Sequence, residues 1–253
     1  MKQVLIIGIG AGDPEQITVQ AVNALNRADV LFVMDKGPAK AKLAAYRKEI
    51  CRRYIRHDRF RVVEAESPER DVAATDYDAA VGDLNRRKQD VFERLIVEEI
   101  PEGGCGAFLT WGDPSLYDST IRNVEAVARK GHRFEYEVIP GISSIQMLAA
   151  RHRTTLNRIG QSVAVTTGRR LAEGWPADSD SVVVMLDAGD SYKRFAEQDV
   201  DIVWGAYLGT PDEILVAGKI RDVAPEIERK RAAARRANGW IMDCYLMRRR
   251  KTD

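Results

Sequence analysis

VLIIGIGAGDPEQITVQA, Val4 to Ala21, sets a strand-length apolar run against a glycine-rich turn and then a helix-period pattern. That succession is the opening unit of an α/β fold, a buried strand delivered through a tight turn into a covering helix. The turn is not a dinucleotide fingerprint. It reads Gly8-x-Gly10-x-Gly12 and then Asp13-Pro14, where G-x-G-x-x-G is needed. Asp13 would repel a phosphate at a helix start, and Pro14 has no N–H to offer one. With no GK[ST] following, a Walker-type loop is excluded as well. In structural terms Asp13 suits an N-cap, Pro14 the first helical position and Gln16 the reciprocal place of a capping box, which predicts a helix starting there.

The construction recurs. FLTWGDPSLYDS (108–119) again brings an apolar run to Gly112, Asp113 and Pro114 before a helical stretch, and YEVIPGISSIQMLAA (136–150) repeats it with Ser143 or Ser144 as the cap. In a parallel sheet every strand-to-helix turn lies at the same edge, where α/β proteins place their ligands, so the three turns are expected to face one cleft.

Working outward, the apolar runs Val4–Ile9, Val30–Met34, Ala107–Trp111 and Phe134–Ile139 alternate with helical patterns through Ile17, Val22 and Leu25 and over Gln89–Ile100. This predicts a parallel-rich sheet covered by helices in a domain over 1–157. The charged segment from Lys36 to Arg87 reads as helices and loops at one edge of that sheet. After TTLNRIGQS (154–162), a linker by composition, a second domain over 158–253 is rich in strands: Val163–Thr167, Val182–Leu186, Ile202–Leu208, Ile214–Ile220 and Trp240–Met247. LGTPDE (208–213) reads as a hairpin turn, so this sheet is mixed. EIERKRAAARRAN (226–238) reads as a helix with a solvated basic face.

The 253 residues are 45% hydrophobic and 30% charged, with 39 Lys plus Arg against 38 Asp plus Glu, so no global field draws the chain to nucleic acid or a membrane surface. The N-terminus shows no signal-peptide pattern and no apolar run reaches spanning length, which predicts a cytoplasmic protein. Cys51, Cys105 and Cys244 are scattered, as are His57, His132 and His152, so neither disulfides nor a metal site is expected.

Taken in order, GIGAGDPEQIT, ADVLFVMD, GDPSLYD, VIPGISS, VVVML and GTPDEILVAGKI resemble the tetrapyrrole (precorrin and uroporphyrinogen) methyltransferases along essentially the whole chain. The resemblance implies two α/β/α domains, S-adenosylmethionine held in the cleft between them and released as S-adenosylhomocysteine, and a homodimer. Cofactor contacts carry over to Gly112, Asp113, Leu116 and Tyr117, to Ser143 and Ser144, to Met185 and Leu186, and to Ala206, Tyr207 and Leu208. Ala11 stands at a further contact where the family usually has proline. MDKGPAKAKLAAYRKEICRR, SPERD and TWGDPSLYDSTIR are similar to the family's deacetylating branch, which methylates C-1 of precorrin-5 and releases acetate. A polycarboxylate macrocycle calls for placed cations, and Lys36, Arg59, Arg61, Arg70, Arg86 and Arg87 are the candidates. Deacetylation calls for a base to activate water, for which Asp13 or Asp35 is expected. The rivals are a methyltransferase acting at another tetrapyrrole carbon and one acting on a macromolecule. Outside the class stand a tetrapyrrole carrier and a nicotinamide oxidoreductase, against which the missing third glycine argues.

Overall fold

The computed structural model describes residues 1–35, 41–68 and 77–250. The chain divides into two compact units, residues 1–10 with 14–142 and residues 11–13 with 143–253.

The first unit is built on β1 (Lys2–Gly8), β2 (Val30–Asp35), β3 (Arg61–Glu66), β4 (Cys105–Thr110) and β5 (Phe134–Ile139), in the order β3-β2-β4-β1-β5 with every pairing parallel. Because side chains alternate across a strand, Leu5 and Ile7 pack with α1 (Val19–Leu25) and α2 (Ala41–Tyr54) on one face. Val4 and Ile6 pack on the other with Phe92 of α3 (Tyr77–Arg94) and with Val124 and Val127 of α4 (Thr120–Arg129). Burial on both faces is why β1 reads as an unbroken apolar run rather than an alternation. α3 continues into one π-helical turn, Leu95–Glu99, which covers Gln89–Ile100 as expected but begins twelve residues earlier, at Tyr77.

Two expectations are corrected. The segment read as helices and loops contains β3, an edge strand whose sequence RVVEAE is largely exposed, so charged residues interrupt the apolar signal. The first α-helix starts at Val19, not Pro14: Pro14–Gln16 form a single 3-10 turn, and Thr18 is the N-cap, its Oγ1 accepting from Ala21 N at 3.0 Å. Gln16 is buried, its Cβ lying 3.0 Å from where a Cβ on Gly10 would stand.

The second unit carries β6 (Val163–Thr167), β7 (Ser181–Met185), β8 (Val200–Ala206), β9 (Ile214–Lys219) and β10 (Asp243–Arg249), in the order β6-β7-β10-β8-β9. β6 and β7 are parallel and the remaining pairs antiparallel, with β8 and β9 forming the hairpin. Its core joins Val182, Val184, Trp204 and Tyr245 to Ile220 and Ile227 of α7 (Ile220–Asn238), which ends on Gly239 at φ 74°. α6 (Gly168–Leu171) is a single turn. α5 (Ser144–Arg151) groups with this unit, whereas the sequence reading assigned it to the first domain. Cys244 Sγ sits 3.8 Å from Ser144 O, and His152 Nε2 is 3.1 Å from Trp204 O. Among the described residues no helix is long and apolar enough to cross a membrane.

Candidate active site

β4, β1 and β5 are neighbours and parallel, so the turns that follow them emerge side by side at the C-terminal edge of the first sheet. The helices after β1 and β4 go to opposite faces, the arrangement that opens a crevice at strand ends. Glycine lets the three turns close on one another. A Cβ on Gly8 would stand 2.6 Å from Gly141 N and 2.8 Å from Gly112 O, and one on Gly141 would stand 2.1 Å from Gly112 O. Gly10 and Gly112 pair across the gap, Gly112 N donating to Gly10 O at 2.8 Å, and both hold positive φ, 86° and 69°. The three turns therefore pack main chain against main chain at this edge.

Asp113 staples two of the turns. Its Oδ2 accepts from Gly141 N at 2.8 Å, and its Oδ1 accepts from Ser115 N at 2.8 Å and from Ser115 Oγ. Burial pushes its carboxyl up, but the bonds from Ser115 Oγ, Gly141 N and Ser115 N outweigh this and hold it below the ordinary range. Leu116 is half-buried and Tyr117 exposed, the latter in the left-handed region at φ 51°. Ser143, buried, caps α5, its N–H donating to Gln146 Oε1 at 2.9 Å, and Ser144 opens the helix. Asp35 ends β2 at this same edge.

In the second unit β7 ends at Met185, and Leu186 follows at φ 54° with 65% of its surface exposed. A left-handed leucine presented to solvent is strained, and Asp187 over-determines it. That buried carboxylate accepts from Gly189 N at 3.0 Å, Ser191 N at 2.7 Å and Tyr245 OH at 2.6 Å. The turn borders a cavity of about 480 Å³ whose walls include Leu186, Gly189, Arg169, Lys193 and Arg194. Behind it Arg231 donates from Nε to Asp243 at 2.9 Å and from a terminal nitrogen to Asp190 at 2.6 Å. Burial raises the Asp243 carboxyl against the opposing pull of Arg231. The basic helix is thus not a uniformly solvated face, since Arg231 is turned inward as a brace.

Residues 11–13 belong to this second unit. A Cβ on Gly12 would stand 2.6 Å from Leu208 O and 2.7 Å from Thr210 Cγ2, so the tip of the opening loop lies on the hairpin turn, with Ala11 buried and Asp13 half-buried. Ala206, Tyr207 and Leu208 are all buried. Tyr207 is occupied internally: its N–H donates to Met242 O at 2.9 Å, its carbonyl accepts from Thr210 N at 3.0 Å and its hydroxyl bonds Trp240 O.

Among the described residues the cation candidates do not converge. Arg61 is the first residue of β3, placed at the edge opposite the turns because the strand runs parallel to its neighbours, and it pairs with Glu99 at 2.7 Å. Arg59, exposed, precedes it. Arg86 and Arg87 lie on α3 and pair with Asp83 at 3.4 and 2.7 Å. Lys36 and Arg70 lie outside the described residues, as does the side chain of Asp35. Spacing could not distinguish strand starts from strand ends within the charged segment, because β3 itself went unrecognised. Asp187 and the buried Arg47 were missed, their residue types being common and their burial invisible in sequence. The three cysteines are buried, which pushes the thiols of Cys51 and Cys105 up to about 11 and that of Cys244 to about 12.

The family described as Tetrapyrrole (Corrin/Porphyrin) Methylases matches residues 3–224. A precorrin-6A synthase [deacetylating] of Sinorhizobium sp is 50% identical over 250 residues, covering 98% of this chain and 96% of the relative. The crystal structure of a cobalamin-synthesis-related protein (CobF) from Corynebacterium diphtheriae superimposes with a TM-score of 0.84 at 33% identity, covering 98% of both chains. A uroporphyrin-III C-methyltransferase from Thermus thermophilus, solved in complex with S-adenosylhomocysteine, shares the fold at a TM-score of 0.59 and 17% identity, over 97% of this chain and 96% of that one.

Proposed function

The chain belongs to the tetrapyrrole methylase family, and we propose that within it this protein methylates C-1 of precorrin-5 and removes an acetyl group as acetate, yielding precorrin-6A. The observation that carries the reading is identity of 50% to a deacetylating precorrin-6A synthase at nearly full length, joined to a strand-end edge built of bare main chain.

The edge fits S-adenosylmethionine. At Gly8 and Gly141 a Cβ would run into the main chain of a neighbouring turn, so the edge is built of backbone groups, and the cofactor contacts of the first unit are assigned to Gly112, Asp113, Leu116 and Tyr117. Within the second unit the assigned cofactor contacts are Ala11, Ser143, Ser144, Met185, Leu186, Ala206, Tyr207 and Leu208. When bound, the cofactor supplies a methyl group already activated on sulfur. No covalent nucleophile is then required of the protein, whose task is to hold the acceptor carbon in line with the donor and keep water from competing. In the deacetylation an aspartate, Asp13 or Asp35, accepts a proton from water as the water oxygen bonds to the acetyl carbonyl carbon; the bond from that carbon to the macrocycle breaks, its electron pair passes to the macrocycle, and the two-carbon fragment leaves as acetate. The protein works in the cytoplasm as a homodimer.

The test is incubation with S-adenosylmethionine and precorrin-5, with mass spectrometry of the tetrapyrrole and an assay of free acetate. Methyl gain with one acetate released is expected, and methyl gain without acetate refutes the assignment in favour of another carbon. Asp13→Asn abolishes acetate release if Asp13 is the base; release at the wild-type rate assigns the role to Asp35.

A further inference from the structure

Arg47 is the arginine that the cation candidates omitted. It lies on α2 with only 6% of its surface exposed, and its Nε donates to the carbonyl of Leu109, the penultimate residue of β4, at 3.4 Å. That bond, to a carbonyl two residues before Trp111 of the Trp111-Gly112 turn, places it at the C-terminal edge of the sheet. Its guanidinium carbon stands 6.0 Å from the Trp111 ring centroid, and the Tyr46 ring packs 5.9 Å from the same indole. Arg61, Arg86 and Arg87 each have an acidic partner; Arg47 forms no ion pair with any carboxylate among the described residues. Asp118 and Cys51 act on it only through space, favouring its charged form against the burial that lowers its pKa. In the same place Trp111 Nε1 is buried with no hydrogen-bond partner among the described residues.

A buried guanidinium with no carboxylate in hydrogen-bond contact among the described residues and a buried indole N–H without an acceptor are both costly to maintain, and one ligand group relieves both. The group must be anionic, planar and have two acceptor oxygens, because the guanidinium fork matches that shape bidentately. We propose that Arg47, with the Trp111 N–H, is the receptor for a carboxylate of the tetrapyrrole substrate. The inference rests on the tetrapyrrole reading above and adds to it the residue that fixes the macrocycle. The methionine carboxylate of the cofactor has the same chemistry, and the experiment separates the two sources.

The variants are R47K, which keeps the charge and loses the fork, R47Q, which loses both, and W111F, which removes the indole N–H along with the five-membered ring that carries it. Each is measured for S-adenosylhomocysteine affinity by calorimetry, for equilibrium binding of uroporphyrin III as a stable polycarboxylate probe, and for kcat and KM with precorrin-5. Tetrapyrrole affinity is expected to fall about tenfold in R47K and W111F and up to about a hundredfold in R47Q, carried by KM more than kcat, with the cofactor product bound within about twofold of wild type. Loss of S-adenosylhomocysteine binding with tetrapyrrole binding unchanged overturns the substrate assignment and gives the carboxylate to the cofactor. Unchanged affinity for both ligands overturns the receptor altogether. Should R47Q fail to fold, R47K and W111F decide the matter. Wild type that binds uroporphyrin but does not turn over precorrin-5 counts against the proposed reaction and leaves the Arg47 comparison intact; wild type that binds no tetrapyrrole overturns both.

Discussion

Gly141→Ala puts the close approach of the three turns to a direct test. The added Cβ would stand 2.1 Å from Gly112 O, where about 3.5 Å is needed, so one turn must retreat by about 1.4 Å. Such a shift stretches the 2.8 Å bond from Gly141 N to Asp113 beyond hydrogen-bond range. Forced overpacking costs about 1–3 kcal/mol, and loss of a bond to a charged group adds about 1 kcal/mol after allowance for solvent screening at the partly exposed Asp113. The first unit should lose about 2–4 kcal/mol, read as a lower urea midpoint. Because the retreat deforms the displayed main chain, S-adenosylhomocysteine binding by calorimetry should weaken at least about tenfold. Gly131→Ala is the control: it sits at φ 95° with nothing within 4 Å of its added Cβ, so it costs about 1–2 kcal/mol of backbone strain and leaves affinity unchanged. A Gly141→Ala protein with wild-type midpoint and wild-type affinity would refute both the packing argument and the assignment of this edge to the cofactor.

Other consequences are open to simple measurement. Thr18→Ala removes the cap of α1 and should lower unfolding free energy by about 1 kcal/mol in urea, with Asp13→Asn leaving the α1 cap intact. Arg231→Ala strips Asp190 and Asp243 of their buried partner and should destabilise the second unit by about 3 kcal/mol or more, visible as a lower thermal midpoint. Asp113 has a folded pKa below its unfolded one, so its contribution is complete above the ordinary carboxylate range and disappears as pH falls through the lowered folded value. Urea titrations from pH 6 down to about pH 3 should therefore show wild type losing stability more steeply than Asp113→Asn; parallel curves would remove the carboxylate's role as a staple.

Much of the architecture was legible because the signals that define it are local. Apolar runs bounded by Gly-Asp-Pro or Pro-Gly turns marked β1, β4 and β5, and their common parallel direction put the turns at one edge, as the structure bears out. β3 was hidden because an edge strand has little burial to record in its composition. The start of α1 was misread because Asp13-Pro14 meets every rule for a helix start, yet the chain first makes a 3-10 turn and uses Thr18.

At the site, the types of residue were readable and their partners were not. Periodicity and turn chemistry depend on neighbours a few positions apart, so the amino-acid sequence alone determined two α/β sheets, three stacked turns and the family resemblance. Contacts between residues far apart in the chain belong to the tertiary structure. It decided that Gly8, Gly112 and Gly141 meet backbone to backbone, that Arg61 starts its strand at the far edge, that Arg231 braces the carboxylates of Asp190 and Asp243 and that Arg47 is buried beside an indole with no acidic partner among the described residues. Burial and pairing set the energy of a charge, and both follow from which elements the fold lays side by side.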